Sequence, residues 1–261
     1  MTRELEVAVA AAKEAGEILQ NSFGQQQQIR YKGEVDLVTE VDEQAEQAIR
    51  NSLQEVFPTY GMLAEESGGL TGEIDARWII DPLDGTTNYA HGLPIFATSI
   101  ALERAGEVVV GVVHDPMAKE MYAAERGGGA TLNGQDIQVS DTDELIRALL
   151  ATGFPYDRQD MTATLDLFGR FAVLTQSTRR LGSAALDACY VAAGRLDGYY
   201  ERGIKAWDIA AGVLILEEAG GKVTDYRGRE VDLEGGEVVA SNSLLHPALT
   251  SVTSKYSVRG A

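Results

Sequence analysis

The chain is poor in the residues that several kinds of chemistry need. A single cysteine, Cys189, among 261 residues excludes an internal disulfide and a cysteine-based metal site. It also fits a reducing, cytoplasmic setting. The three histidines, His91, His114 and His246, fall in separate segments, which argues against a His-rich zinc site. No apolar run approaches the length of a membrane span, and Met1-Thr2-Arg3-Glu4-Leu5 lacks a signal-peptide pattern, so neither a membrane nor an export role is expected. Positive charge is scarce as well: 22 Lys and Arg face 40 Asp and Glu, a formal net charge of −18. Nucleic-acid binding is thereby disfavoured, because the phosphate backbone rewards basic surface. The same charge opposes any anionic substrate unless bound cations reverse its sign locally.

What is present centres on one stretch. Trp78-Ile79-Ile80 is an apolar, β-forming run that leads into Asp81-Pro82-Leu83-Asp84-Gly85-Thr86-Thr87-Asn88-Tyr89. The run predicts a buried strand with Asp81 at its C-terminal end, followed by a turn. Open α/β sheets place their ligands at such strand ends. Asp81, the Leu83 carbonyl and Asp84 are hard oxygen donors suited to Mg2+ or Mn2+. The Gly85 and Thr86 amides follow at an expected helix start, which favours an anion. Asp-Pro and Asp-Gly are also ordinary turn dipeptides, so turn chemistry alone does not decide between a site and a surface turn.

The rest of the chain reads as α+β or α/β. Helices are expected over 3–22, from Thr39 or Asp42 to Pro58, over 160–176 and 184–193, from Asp208 to Ala219, and from His246 onward. Strands are expected at 61–64, at 95–102, 108–114 and 120–124 as an antiparallel set, and at 148–152, 196–201, 222–225 and 237–241. Residues 25–28 and 68–76 read as loops, the second of lid type. Gly127-Gly128-Gly129 lacks the Gly-Lys-Ser/Thr ending of a phosphate loop and reads as a turn. The polar stretch 140–146 is the best boundary, giving halves 1–143 and 144–261 that form one functional unit. Further carboxylates stand out: Asp42 at a helix start, Glu65 and Glu66 after a strand, Glu201 at a strand end, and Asp208 opening a helix. Each has a plainer reading as a cap or a solvated charge. Cys189, at helical spacing with Leu186 and Tyr190, reads as core.

Asp81 to Tyr89 resembles the signature of the inositol monophosphatase family of Mg2+-dependent, lithium-sensitive sugar phosphatases. The segments Asp36–Asp42, Glu65-Glu66, Gly182-Ser183-Ala184-Ala185, Tyr200-Glu201 and Trp207–Gly212 line up with that family in order, so the resemblance spans nearly the whole chain. Tyr89 stands where Phe is usual. The resemblance implies a layered α-β-α-β-α sandwich, a homodimer, and two or three Mg2+ ions acting on a phosphorylated polyol or sugar. It implies Glu65, Asp81 and the Leu83 carbonyl at a first metal, with Asp81, Asp84 and Asp208 at a second. Asp42 and Thr86, with Glu65, would activate water; the Gly85 and Thr86 amides would hold phosphoryl oxygens; Gly182, Ser183, Ala184 and Glu201 would face the alcohol. Arg180 would add charge for a second phosphate or is simply a surface arginine. The activity expected is hydrolysis of myo-inositol 1-phosphate. Fructose-1,6-bisphosphatase, histidinol-phosphatase and 3′-phosphoadenosine phosphatase activities are the rivals, and a non-catalytic regulatory role is the reading from a different class.

Overall fold

Apolar periodicity in the sequence becomes layers in the fold. The computed structural model describes residues 1–25, 29–31, 37–68, 73–155 and 161–257. Residues 26–28 of the glutamine run, Asp36, and 69–72 of the expected loop lie outside the described residues. Leu5, Ala8, Ala12, Ala15 and Leu19 recur at helical spacing and make the buried stripe of α1 (Arg3–Ser22), where the Thr2 side chain accepts from the Leu5 amide. A short ribbon, β1 (Ile29–Tyr31) against β2 (Leu37–Thr39), leads into α2 (Glu40–Val56), buried along Val41, Ala45, Ile49 and Leu53.

A seven-stranded sheet follows in chain order. It comprises β3 (Tyr60–Ala64), β4 (Glu73–Asp84), β5 (Ala97–Arg104), β6 (Glu107–Asp115), β7 (Glu120–Glu125), β8 (Ala130–Leu132) and β9 (Gln135–Asp136). Only the β3–β4 pair is parallel among these. The five-residue helix α3 (Thr86–Ala90) links β4 to β5. The second sheet is built from β10 (Leu149–Thr152), β11 (Ser177–Arg179), β12 (Gly198–Arg202), β13 (Lys222–Thr224) and β14 (Glu237–Ser241), ordered β11-β10-β12-β14-β13. Four helices accompany it: α4 (Met161–Leu174), α5 (Ala184–Ala192), α6 (Ala206–Glu218) and α7 (His246–Thr253).

Strand alternation assigns each side chain to a layer. In β4, Trp78 and Ile80 join the core under α1 and α2, while Ile79 joins the core under α5 and α6. In β12, Tyr199 faces that same middle core and Tyr200 packs with Leu167 and Phe171 of α4 and Leu249 of α7. The layers therefore run α1/α2, seven-stranded sheet, α5/α6, five-stranded sheet, α4/α7, the α-β-α-β-α sandwich expected. Because α6 is covered on both sides, it is apolar almost all round, from Ile209 to Leu216. No helix among the described residues is long and apolar enough to cross a membrane.

Several local expectations change. The loop expected over 68–76 is shorter, because β4 begins at Glu73 and pairs Ala76 with Arg104 and Arg77 with Glu103. Pairing with strands on both sides overrides the polar composition of that segment. Residues 177–179, expected only as a lead-in to α5, form the edge strand β11, parallel to β10. The strand through Trp78 does not stop at Asp81 but continues to Asp84.

Close approach in the middle layer gives a contrast that stability can read. A Cβ placed on Gly111 of β6 stands 2.7 Å from the Ala211 carbonyl oxygen of α6, and backbone on both sides cannot yield cheaply. Gly169, on the exposed side of α4, has nothing within 4 Å. Gly111→Ala is expected to cost about 1–3 kcal/mol, whereas Gly169→Ala is expected to stabilise by about 0.5–1 kcal/mol. Urea midpoints of the two variants check this; equal shifts of the same sign contradict the packing described.

Candidate active site

The site begins with an irregularity in β4. In a regular strand Asp81 and Asp84, three residues apart, point to opposite faces. Here Asp81 pairs with Ser99 and Asp84 with Ala97, so Pro82 and Leu83 together oppose Thr98 alone. Such a bulge resets the alternation and accommodates a proline that has no amide to offer. The Thr98 hydroxyl donates to the Pro82 carbonyl at 3.0 Å, and the Leu83 amide donates to Asp81 Oδ1 at 2.9 Å. Gly85 then turns the chain with φ +95°, and a Cβ there meets the Ile95 carbonyl oxygen at 2.9 Å, so a side chain is excluded both by conformation and by space.

The bulge aims both carboxylates at the start of α6. Ser99, the ladder partner of Asp81, donates to the Trp207 carbonyl at 3.2 Å and so ties that helix start to the sheet. The Lys205 amide donates to Asp208 Oδ2 at 2.8 Å; the cap and the site carboxylate are the same side chain. Asp81, Asp84 and Asp208 each present an oxygen within 4.8 Å of the others. Glu65, in the turn after β3, is half-buried, and its charge acts on Asp81. The turn itself is held by Glu46, whose carboxylate accepts from the Glu66 amide at 2.9 Å and the Ser67 amide at 3.1 Å.

Asp42 meets the start of α3 at Thr86. It is fully buried at the third position of α2, where the Thr39 amide and hydroxyl both donate to its Oδ2. Thr86 Oγ1 lies 3.3 Å from its Oδ1 and 3.0 Å from the Leu83 carbonyl oxygen, so its single proton goes to one or the other. Asp84 is gripped from the start of α5: the Ser183 hydroxyl and the Ala185 amide, at 2.5 and 2.8 Å, both donate to its Oδ2. Asn88 fastens the same junction, donating to the Ile95 and Leu181 carbonyls at 2.8 Å each.

Burial and mutual charge set the acidities. Burial pushes the Asp81 carboxyl well above the usual carboxylate range, and the charges of Glu65, Asp84 and Asp208 push it further. Asp208 rises for the same reasons, burial first and Asp84 next. Burial also raises Asp84, to about 6, against the lowering effect of Ser183 and the Ala185 amide. Asp42 is raised to about 6 by burial, with Glu65 adding charge and Thr39 opposing.

A cleft opens beside Asp84 and Asp208, lined also by Gly85, Gly182, Ser183, Ala184, Asp187 and Glu201. Glu201 accepts from the Tyr199 hydroxyl at 2.5 Å, and burial raises its carboxyl to about 7. Arg180 lines the cleft too and lies over the Phe154 ring, 5.7 Å from its centroid. Of the residues singled out from the sequence, Asp84, Gly85, Arg180, Gly182, Ser183, Ala184, Glu201 and Asp208 line this cleft, while Asp81 joins Asp84 and Asp208 in the acidic trio and Thr86 links Leu83 to Asp42. The Ser183 hydroxyl is occupied by Asp84, and the contacts expected of the Gly182–Ala184 segment are backbone ones. Sequence reasoning missed Ser99, Glu46 and Asp187, and gave Asn88 no role. Nothing local marks Ser99 or Glu46, which matter through cross-strand and tertiary partners; Asp187 was hidden as one more acidic residue in a helix's first turn.

Comparison with known proteins decides the family. The model of the "Inositol monophosphatase family" matches residues 1–257. The chain belongs to the inositol monophosphatase family. It is 45% identical over 255 residues to the inositol-1-monophosphatase of Mesorhizobium japonicum, covering 96% of each chain. It is 42% identical over 245 residues to the Nus factor SuhB of Pasteurella multocida, covering 92% of each. Among solved structures, the extragenic suppressor protein suhB of Bartonella henselae superposes with a TM-score of 0.94 at 40% identity, over 97% of this chain and 99% of that one.

The acidic trio has the donor chemistry of a metal site in this family. Its members are hard oxygens, and the neighbouring charges that raise them are carboxylates, a penalty that a divalent cation reverses. The linkage sign follows. A carboxyl such as Asp84, at about 6 in the folded chain and about 3.9 unfolded, contributes stability at low pH that is lost as pH rises through about 6. In chelator the urea midpoint is therefore expected to fall between pH 4 and pH 6, less steeply in Asp84→Asn, and added divalent cation is expected to reduce the fall. Identical pH slopes for wild type and variant contradict this assignment.

Proposed function

We propose that this chain is a Mg2+-dependent phosphomonoesterase that hydrolyses myo-inositol 1-phosphate or a related polyol or sugar phosphate by direct attack of water. One observation carries the reading: three carboxylates, two buried and one half-buried, converge within 4.8 Å beside a Thr86–Asp42 hydrogen bond and a polar cleft. Glu65, Asp81 and the Leu83 carbonyl are assigned to one Mg2+, and Asp81, Asp84 and Asp208 to a second, with a third sharing Glu65; Mn2+ suits the same donors. When bound, the cations neutralise the phosphate and supply Lewis acidity.

The chain's own groups do the rest. Thr86 Oγ1, donating toward Asp42, leaves its lone pairs to accept from the attacking water. Asp42, raised to about 6, takes the proton at near-neutral pH. Water oxygen bonds to phosphorus as the bond to the alcohol oxygen breaks, and the departing oxygen gains a proton from solvent. The Gly85 and Thr86 amides hold the phosphoryl oxygens. Glu201, with the Gly182–Ala184 backbone, receives the hydroxyls of the alcohol. The halves 1–143 and 144–261 act as one unit, since Asp81 and Asp84 come from the first and Asp208 and Glu201 from the second. A cytoplasmic homodimer is part of this reading.

Phosphate release from myo-inositol 1-phosphate, fructose 1,6-bisphosphate, histidinol phosphate and 3′-phosphoadenosine 5′-phosphate tests it. Release is expected with Mg2+, to be lost in chelator and to favour inositol 1-phosphate. Asp42→Asn is expected to lower kcat about 10²–10³-fold. Release dominated by another substrate overturns the specificity, and release unaffected by chelator overturns the mechanism.

A second reading draws on the relative named as a Nus factor: a regulatory binding role that does not need hydrolysis. An Asp84→Asn variant that loses phosphate release yet restores the phenotype of a deletion strain would establish that role; loss of both together removes it.

A further inference from the structure

Asp187 is the buried carboxylate that the mechanism leaves unused. It sits in the first turn of α5 and is 1% exposed. An acidic residue near a helix N-terminus needs no special reason when it meets solvent. This one does not, and its Oδ1 has no hydrogen-bond partner. Buried polar atoms in native folds are almost always satisfied, so an orphaned carboxylate oxygen calls for a ligand. Asp187 also lines the cleft, together with Glu201, Arg180, Asp84 and Asp208. Burial raises its carboxyl well above the usual carboxylate range, with the charges of Glu201 and Asp84 adding to the rise and Arg180 opposing it.

We infer that Asp187 is a specificity-determining residue of the phosphatase site, pairing with Glu201 to receive hydroxyls of the leaving alcohol and to offset Arg180 against a second phosphate. The inference rests on the phosphatase reading of the same cleft. Its chemistry is complementarity. A carboxylate has only acceptors to offer, which match hydroxyl donors. A phosphate dianion is likewise rich in acceptors and repels a carboxylate. Arg180 alone would invite a second phosphate, as in a sugar bisphosphate. Two acidic side chains, Asp187 and Glu201, stand against it in the same wall. Cations bound at the neighbouring trio favour the ionised form of Asp187. The substrate class selected is a monophosphate whose alcohol presents at least two hydroxyls to this wall.

Two substitutions separate recognition from architecture. Asp187→Ala removes the acceptor, and the KM for myo-inositol 1-phosphate is expected to rise about tenfold while kcat falls far less. Asp187→Asn keeps the shape and one acceptor but removes the charge. Its preference for inositol 1-phosphate over fructose 1,6-bisphosphate is expected to fall about tenfold. A purely structural role predicts instead a lowered melting temperature with unchanged KM and preference, and that result overturns the inference. A measurement without turnover keeps the two readings apart: the rise in melting temperature given by myo-inositol in the presence of Mg2+ and inorganic phosphate. Protection of the wild type that is lost in Asp187→Ala supports the role of Asp187 even in a chain that releases no phosphate. Equal protection of both proteins, or none of the wild type, overturns it.

Discussion

Crowded negative charge is the constraint on which this structure depends. Asp81, Asp84 and Asp208 are brought within 4.8 Å of one another in a place where burial already disfavours ionisation. Left to itself, such a cluster pulls the fold apart or takes up protons. The surroundings show how it is held. Each carboxylate accepts hydrogen bonds from backbone close at hand: Leu83 to Asp81, Ala185 to Asp84, Lys205 to Asp208. Backbone amides add no counter-charge that would compete with a cation, so the oxygens are fixed in place while their charge stays available.

Helix starts serve this purpose twice over. Asp42 in α2 and Asp208 in α6 both stand three residues past the N-cap and accept from its amide. That interaction completes a helix end and would be reason enough for an aspartate there. The capping bond also locks the carboxylate's rotamer, which a site needs more than a helix does. Reading such an aspartate as either a cap or a functional group sets up a false choice. One oxygen serves the helix, and in Asp42 the other faces Thr86.

How far the sequence disclosed this arrangement depends on the range of the interactions involved. The apolar stripes of α1 and α2 and the alternation through Trp78, Ile79 and Ile80 are local patterns, and the layers follow from them. The turn at Gly127-Gly128-Gly129 was legible for the same reason, and it joins β7 to β8. The continuation of β4 through Asp-Pro-Leu-Asp was not, because two turn dipeptides outweigh strand propensity until β5 supplies a partner. Ser99 carries no signal in its own neighbourhood; its significance lies in standing opposite Asp81 and beneath Trp207. Asp187 went unnoticed because its acidity is ordinary for a first turn, while its burial is a property of the packed middle layer.

That middle layer explains why residues from two sheets share a cleft at all. Gly111 lets β6 touch the backbone of α6 at Ala211, and a Cβ on Gly212 would stand 2.7 Å from the Ala188 methyl of α5. Small residues at these contacts draw the first sheet, α6 and α5 closer than ordinary side chains permit. The start of α6 then reaches the β4 bulge, and the start of α5 reaches Asp84 through Ser183 and Ala185. Larger residues at these positions would separate the helix starts from the bulge, and the carboxylates would lose their convergence even with every one of them present. The acidic site is thus a consequence of close packing between glycine and alanine surfaces that carry no chemistry of their own.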